Sequence, residues 1–216
     1  MGFPKTAPTR YLLLVTGAWL VVFLLTRILL LVTHLDEVSG NLLPVFGVGL
    51  LYDLGFLAYA ALPLGLYLLL CPPALWRRRG HRWFLQAVLT VSLFAMLFTS
   101  VAEWLFWDEF GVRFNFIAVD YLVYSKEVLN NLLESYPIGK LLSLLAVMAI
   151  VLSLALRKPF NAAMNAPLPA MRKRLLSALG LLLVAGLSLQ LINQDRPRSQ
   201  GGNAYNNEPA SNGPYQ

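Results

Sequence analysis

The chain predicts an all-α fold: a polytopic membrane bundle of five transmembrane helices with one amphipathic helix at the interface. Three observations predict it. Five apolar runs, residues 11–32, 43–70, 83–106, 138–156 and 175–191, are each about 17–28 residues long, against the roughly 20 needed to cross a hydrocarbon core. The 216 residues are 57% hydrophobic and 13% charged, with mean hydropathy +0.61, and soluble domains carry about twice that charge. The charges also sort by side when the connections between runs are taken alternately. Lys5, Arg10, Arg77, Arg78, Arg79, Arg82, Arg157, Lys158, Arg172, Lys173 and Arg174 share one side, without any Asp or Glu. Asp36, Glu37, Asp108, Glu109, Asp120, Glu127, Glu134, Asp195 and Glu208 lie on the other, or close to it. Lys and Arg near membrane ends are retained in the cytoplasm, so the N-terminus is expected inside and the C-terminus outside.

Residues 1–10 read as a cytoplasmic tail, with the Pro-containing residues 1–8 expected to be disordered. The first run is too long for a signal-peptide core and lacks a small-residue cleavage site, so it reads as a retained anchor. His34, Asp36, Glu37 and Gly40 supply turn chemistry in the first outer connection. The second run is interrupted by Gly47, Gly49, Gly55, Pro63 and Gly65, residues that membrane helices tolerate for close contact or a kink. Cys71-Pro-Pro ends it, because proline cannot continue a helix and restricts its predecessor.

The third outer connection is too polar to cross and too apolar for a bare linker. Ile117, Tyr121, Tyr124, Val128 and Leu132 recur at helical spacing. The polar residues Asp120, Lys126, Glu127, Asn130 and Glu134 fall mostly off that stripe. A helix over about 116–134 is therefore expected, lying in the outer head-group plane or capping the bundle. After the fifth run, residues 193–216 are Asn, Gly, Pro, Gln and Ser with little apolar content, an extracytoplasmic linker unable to bury enough surface to fold alone. Such a linker normally leads to a further domain, so the chain reads as the N-terminal part of a longer protein.

Charge and motif content exclude several functions. The net charge of +6 sits in short loops, where orientation and anionic head groups account for it, and nucleic-acid binding is not expected. The single Cys71 cannot form an intramolecular disulfide. His34 and His81 fall on opposite membrane faces, and no metal-ligand spacing, phosphate loop or nucleophile elbow is present. No catalytic or metal residue is assigned in this chain.

Three charges fall inside the apolar runs, where each is costly. Arg27, Asp53 and Glu103 all occupy the outer half, so they could meet in space. An Arg27–Asp53 pair offsets much of the desolvation cost, and bidentate geometry suits such a pair. Arg27 as a binding site for an anionic head group, and a proton or ion path, are the other readings. Arg113, Trp107 and Tyr121 are the further candidates for head-group contact.

The segment Glu103-Trp-Leu-Phe-Trp-Asp-Glu-Phe110, then Val112-Arg-Phe-Asn-Phe-Ile-Ala-Val-Asp-Tyr-Leu-Val-Tyr124, Glu127-Val128 and Ser135-Tyr-Pro137, resembles the membrane region of the lipoteichoic-acid-synthase-type family. These are sulfatase-like phosphoglycerol transferases of the alkaline phosphatase superfamily. Tyr52-Asp53 in a glycine-bearing second span is similar to that family too, as are Asn207-Glu208 and Asn212-Gly213 in the tail. The resemblance implies an extracytoplasmic catalytic domain beyond this chain. That domain would carry a threonine nucleophile and a divalent metal, usually manganese, and move phosphoglycerol from phosphatidylglycerol to an acceptor. It also implies a Gram-negative inner membrane as the location. A lipid A phosphoethanolamine transferase anchor and a non-enzymatic membrane scaffold remain the alternatives. Acceptor, lipid selectivity and oligomeric state are not readable from the sequence.

Overall fold

The computed structural model describes residues 6–33, 42–110 and 136–194. Among them there are seven helices and no strand: α1 Ala7–Thr33, α2 Leu42–Leu70, α3 Pro73–Trp76, α4 Arg79–Phe110, α5 Ile138–Ala155, α6 Arg157–Met164 and α7 Met171–Gln194. Four of them, α1, α2, α4 and α5, are long and apolar enough to cross a membrane. The fifth expected run is also helical, but α7 opens with Met171-Arg-Lys-Arg174. The amphipathic helix expected over 116–134, the first outer turn and the C-terminal linker lie outside the described residues.

The long helices neighbour one another in the order α7, α2, α1, α4, α5. α1 packs between α2 and α4, α7 lies along the outer side of α2, and α5 along the outer side of α4. The buried stripe of α1 is Tyr11, Val15, Trp19, Val22, Thr26 and Leu30, the spacing of three and four that puts side chains on one helix face. Leu85, Leu89 and Leu93 answer it from α4. Outward faces carry Leu13, Val21, Val91, Val147, Ile150 and Leu183, all more than half exposed. A continuous apolar surface of this kind is foreign to a water-soluble monomer and normal for helices facing lipid.

Polar bonds stitch the seams. Ser153, buried on α5, receives the Thr90 hydroxyl at 2.7 Å and the Gln86 amide at 2.5 Å from α4. Tyr11 donates its hydroxyl to the Leu85 carbonyl at 2.7 Å, and Tyr59 donates to Ala185 on α7 at 3.0 Å. In an apolar medium, interhelical hydrogen bonds of this kind are worth about 0.6–2 kcal/mol each.

At one end, the basic segments fold into a compact foot. α6, expected to be loop, is a helix that buries Phe160, Ala163 and Met164 while exposing Arg157 and Lys158. Phe160 meets Tyr11 edge-on with centroids 6.0 Å apart. Ala7 donates its N–H to the Pro167 carbonyl at 3.1 Å, Trp76 donates to Met164 at 3.4 Å, and Arg82 donates to Asn161 at 3.3 Å. These bonds correct the expectation of a disordered N-terminal stretch reaching residue 8. The helix begins at Ala7, which is completely buried, because α6 and the segment after it cover that first turn.

Candidate functional site

The opposite end of the same seams holds the intramembrane charges. Arg27 of α1 is 3% exposed and Asp53 of α2 is 12% exposed. One guanidinium nitrogen, Nη2, reaches both carboxylate oxygens, Oδ1 and Oδ2, at 3.0 Å. The expected pair therefore forms. It is not the two-nitrogen fork anticipated from the residue types, since Nε and Nη1 are buried without a hydrogen-bond partner.

The local helix geometry explains this placement. Asp53 and Gly49 are four residues apart on α2 and so lie one above the other on one face. A Cβ at Gly49 would stand 2.6 Å from Nη2 of Arg27, so the guanidinium rests directly on the backbone there. Phe23 and Phe56, one turn further into the bundle, close the seam with an edge-to-face contact at 5.5 Å. A buried arginine and a largely covered aspartate held this way are matched to each other, and losing either one would leave the other uncompensated.

On the α4 side, Thr26 and Ser100 share a hydrogen bond of 2.7 Å. Glu103, one turn beyond Ser100, is buried at 8% exposure, and Trp107, another turn on, is 2% exposed. Glu103 thus sits on the face of α4 turned toward α1, as expected from its depth. The ion pair of Arg27 is with Asp53. Trp107 is buried within the protein. Arg113 and Tyr121, the other two candidates, lie outside the described residues.

A second polar cluster lies in the basic foot. Cys71 Sγ stands 3.5 Å from His81 Nε2. The imidazole is packed among Tyr67, Trp76 and Phe84, with centroids 5.3–6.4 Å away, and its Nδ1 is buried without a partner. Burial pushes the Cys71 thiol up from its ordinary pKa, and the nearby Arg174 opposes that shift. A thiol held protonated in an apolar cage is a poor nucleophile. Among the described residues no three His, Cys, Asp or Glu side chains converge as metal ligands, so this pair is an aromatic-lined packing contact.

Sequence reasoning found Arg27, Asp53 and Glu103 by depth and charge. It did not single out Gly49 as the seat of the guanidinium, nor Thr26–Ser100, nor the Cys71–His81 contact. The Gly49-to-Asp53 spacing of one helical turn was the available signal for the first. Comparison with family models, curated proteins and solved structures finds no match to this chain.

Proposed function

We propose that the chain is the membrane-anchoring part of a sulfatase-like transferase that moves phosphoglycerol from a phospholipid to an extracytoplasmic acceptor. The observation that carries this reading is the segment from Glu103 to Phe110, taken with Tyr52-Asp53. These motifs resemble the lipoteichoic-acid-synthase type, and of their acids Glu103 is buried and Asp53, 12% exposed, pairs with Arg27 at the end of the bundle away from the basic foot. An end of the bundle organised around these acids and an arginine suits the support of outer-leaflet chemistry.

In this reading α7 is a fifth span and the segment over 116–134 is an interfacial helix. The basic foot lies in the cytoplasm of a bacterial inner membrane, with the C-terminus outside. Arg27, already paired with Asp53, fixes the α1–α2 seam, and Arg113, Trp107 and Tyr121 belong to the outer rim. The lipid donor is phosphatidylglycerol. The nucleophile and divalent metal belong to a following domain, and tethering that domain at the outer leaflet raises its effective concentration on the lipid.

Two measurements test the proposal. Alkaline phosphatase fused after Gln216 is expected to be active; a cytosolic reporter overturns the orientation. The reading frame beyond codon 216 is expected to encode a metal-binding domain. The complete protein should then transfer labelled phosphoglycerol from phosphatidylglycerol, and a stop codon there or an absence of transfer overturns the enzymatic reading.

A further inference from the structure

α7 packs along α2, and α2 along α1, but α1 and α7 share no comparable seam. Between them lies a groove of about 800 Å³. It is lined along α1 from Pro8 to Leu20 and along α7 from Arg174 to Ser188. At 1.5 Å per residue these walls are about 18 and 21 Å long. One leaflet of hydrocarbon is about 15 Å thick, half of a core of roughly 30 Å. The groove therefore starts in the basic foot, and its walls cover one leaflet while its floor on α2 continues from Leu69 to Val48.

Its walls are leucine, alanine and glycine for most of that length, with Thr9, Arg174 and Ser177 at the basic mouth. Arg174 is 6% exposed. It donates from Nη1 to the Cys71 carbonyl at 2.6 Å and from Nε to the Pro169 carbonyl at 3.1 Å. Those carbonyls orient the guanidinium without neutralising it. Among the described residues Arg174 has no carboxylate within ion-pair distance, whereas Arg27 has Asp53. The first turn of α1, whose N-terminal dipole end is also positive, opens at the same mouth through Pro8 and Thr9.

We propose that an anionic phospholipid occupies this groove, its phosphate against Arg174 and an acyl chain along Leu12, Leu57 and Leu181. The lining selects this occupant: a basic mouth opening onto a long apolar channel suits a charged head group carrying an acyl chain. A free phosphate would leave the apolar walls uncovered. Basic pockets between membrane helices are the ordinary seat of anionic head groups. The phosphate seat at Arg174 lies at the opposite end of the bundle from Arg27, and the proposal rests on the bundle being in a membrane, not on the transferase reading.

The test is native mass spectrometry of the full chain, reconstituted with phosphatidylglycerol or with phosphatidylcholine and released from mild detergent. One phosphatidylglycerol is expected to be retained, preferred about fivefold, the effect of one basic contact near the surface. Arg174→Gln keeps a donor for the carbonyls but removes the charge, and the preference should fall to parity. Gly180→Phe should abolish retention with unchanged helix content, because a Cβ there meets nothing within 4 Å and the ring enters the groove. Equal retention of the two lipids by the unaltered chain, or undiminished phosphatidylglycerol in the Gly180→Phe protein, overturns the proposal. A photo-crosslinker at Ser177 should yield a lipid adduct. A peptide adduct, from this chain or a second copy, overturns it as well.

Discussion

The guanidinium of Arg27 lies on the backbone of Gly49, one helical turn before the aspartate it pairs with. The glycine is needed there for space, since a side chain would occupy the volume of the charge itself. Gly49→Ala should destabilise the protein by about 1–3 kcal/mol, the usual effect of overpacking a tight contact. Gly47→Ala, where a Cβ meets nothing within 4 Å, should be neutral or slightly stabilising. Reversible unfolding in mixed micelles measures both; equal effects at the two positions would show that the guanidinium does not depend on Gly49.

Arg27→Met and Asp53→Leu should each cost about 3–5 kcal/mol, because each leaves a buried charge without its partner. The double variant should recover most of that loss, since both charges leave together. A double-mutant cycle on folded yield or unfolding free energy reads the coupling. Additive single effects would mean that the 3.0 Å pair contributes no interaction of its own.

Ser153 receives hydrogen bonds from both Gln86 and Thr90. Ser153→Ala should therefore weaken the α4–α5 seam by about 1–2 kcal/mol, within the range measured for interhelical bonds in membranes. Ser143→Ala on the exposed flank, where the hydroxyl bonds only to its own helix, should change stability by less than that. The same unfolding assay compares them.

Cys71 should resist alkylation in the folded protein and react readily once unfolded. Its thiol is buried and its pKa is raised by that burial, so the reactive thiolate is scarce at neutral pH. A group whose folded pKa lies above its unfolded value favours the folded state below the unfolded pKa. That contribution is lost as pH rises through the folded value. Stability should thus decline in the alkaline range, and Cys71→Ala should flatten the decline. Rapid labelling of the native protein would place the thiol in solvent.

The long helices were legible because length, apolarity and sidedness are local properties, readable in a window of about 20 residues. The Arg27–Asp53 contact was legible for a related reason: two opposite charges at matching depth have few other partners in hydrocarbon. What escaped depends on distant chain. The first turn of α1 looks like a polar tail, and only its contacts with residues 160–167 bury it. α6 looks like a charged loop, although Phe160, Ala163 and Met164 stand at helical spacing. Arg174 reads as one of a basic run until the turn of the chain sets it against Cys71 and Pro169. The use of Nη2 alone for Asp53 is a matter of atomic placement, which residue types do not encode.

The bond from Ala7 to Pro167 also bears on biosynthesis. The ribosome releases the start of the first helix early, yet the acceptor that completes it is made only after α6. Until Pro167 has been made and the preceding turn has docked, that leading edge has an amide without its partner and an uncovered apolar patch. Insertion of the first helix and its final seating are therefore separate events in time, and a chain stalled between them is the form most exposed to quality-control proteases.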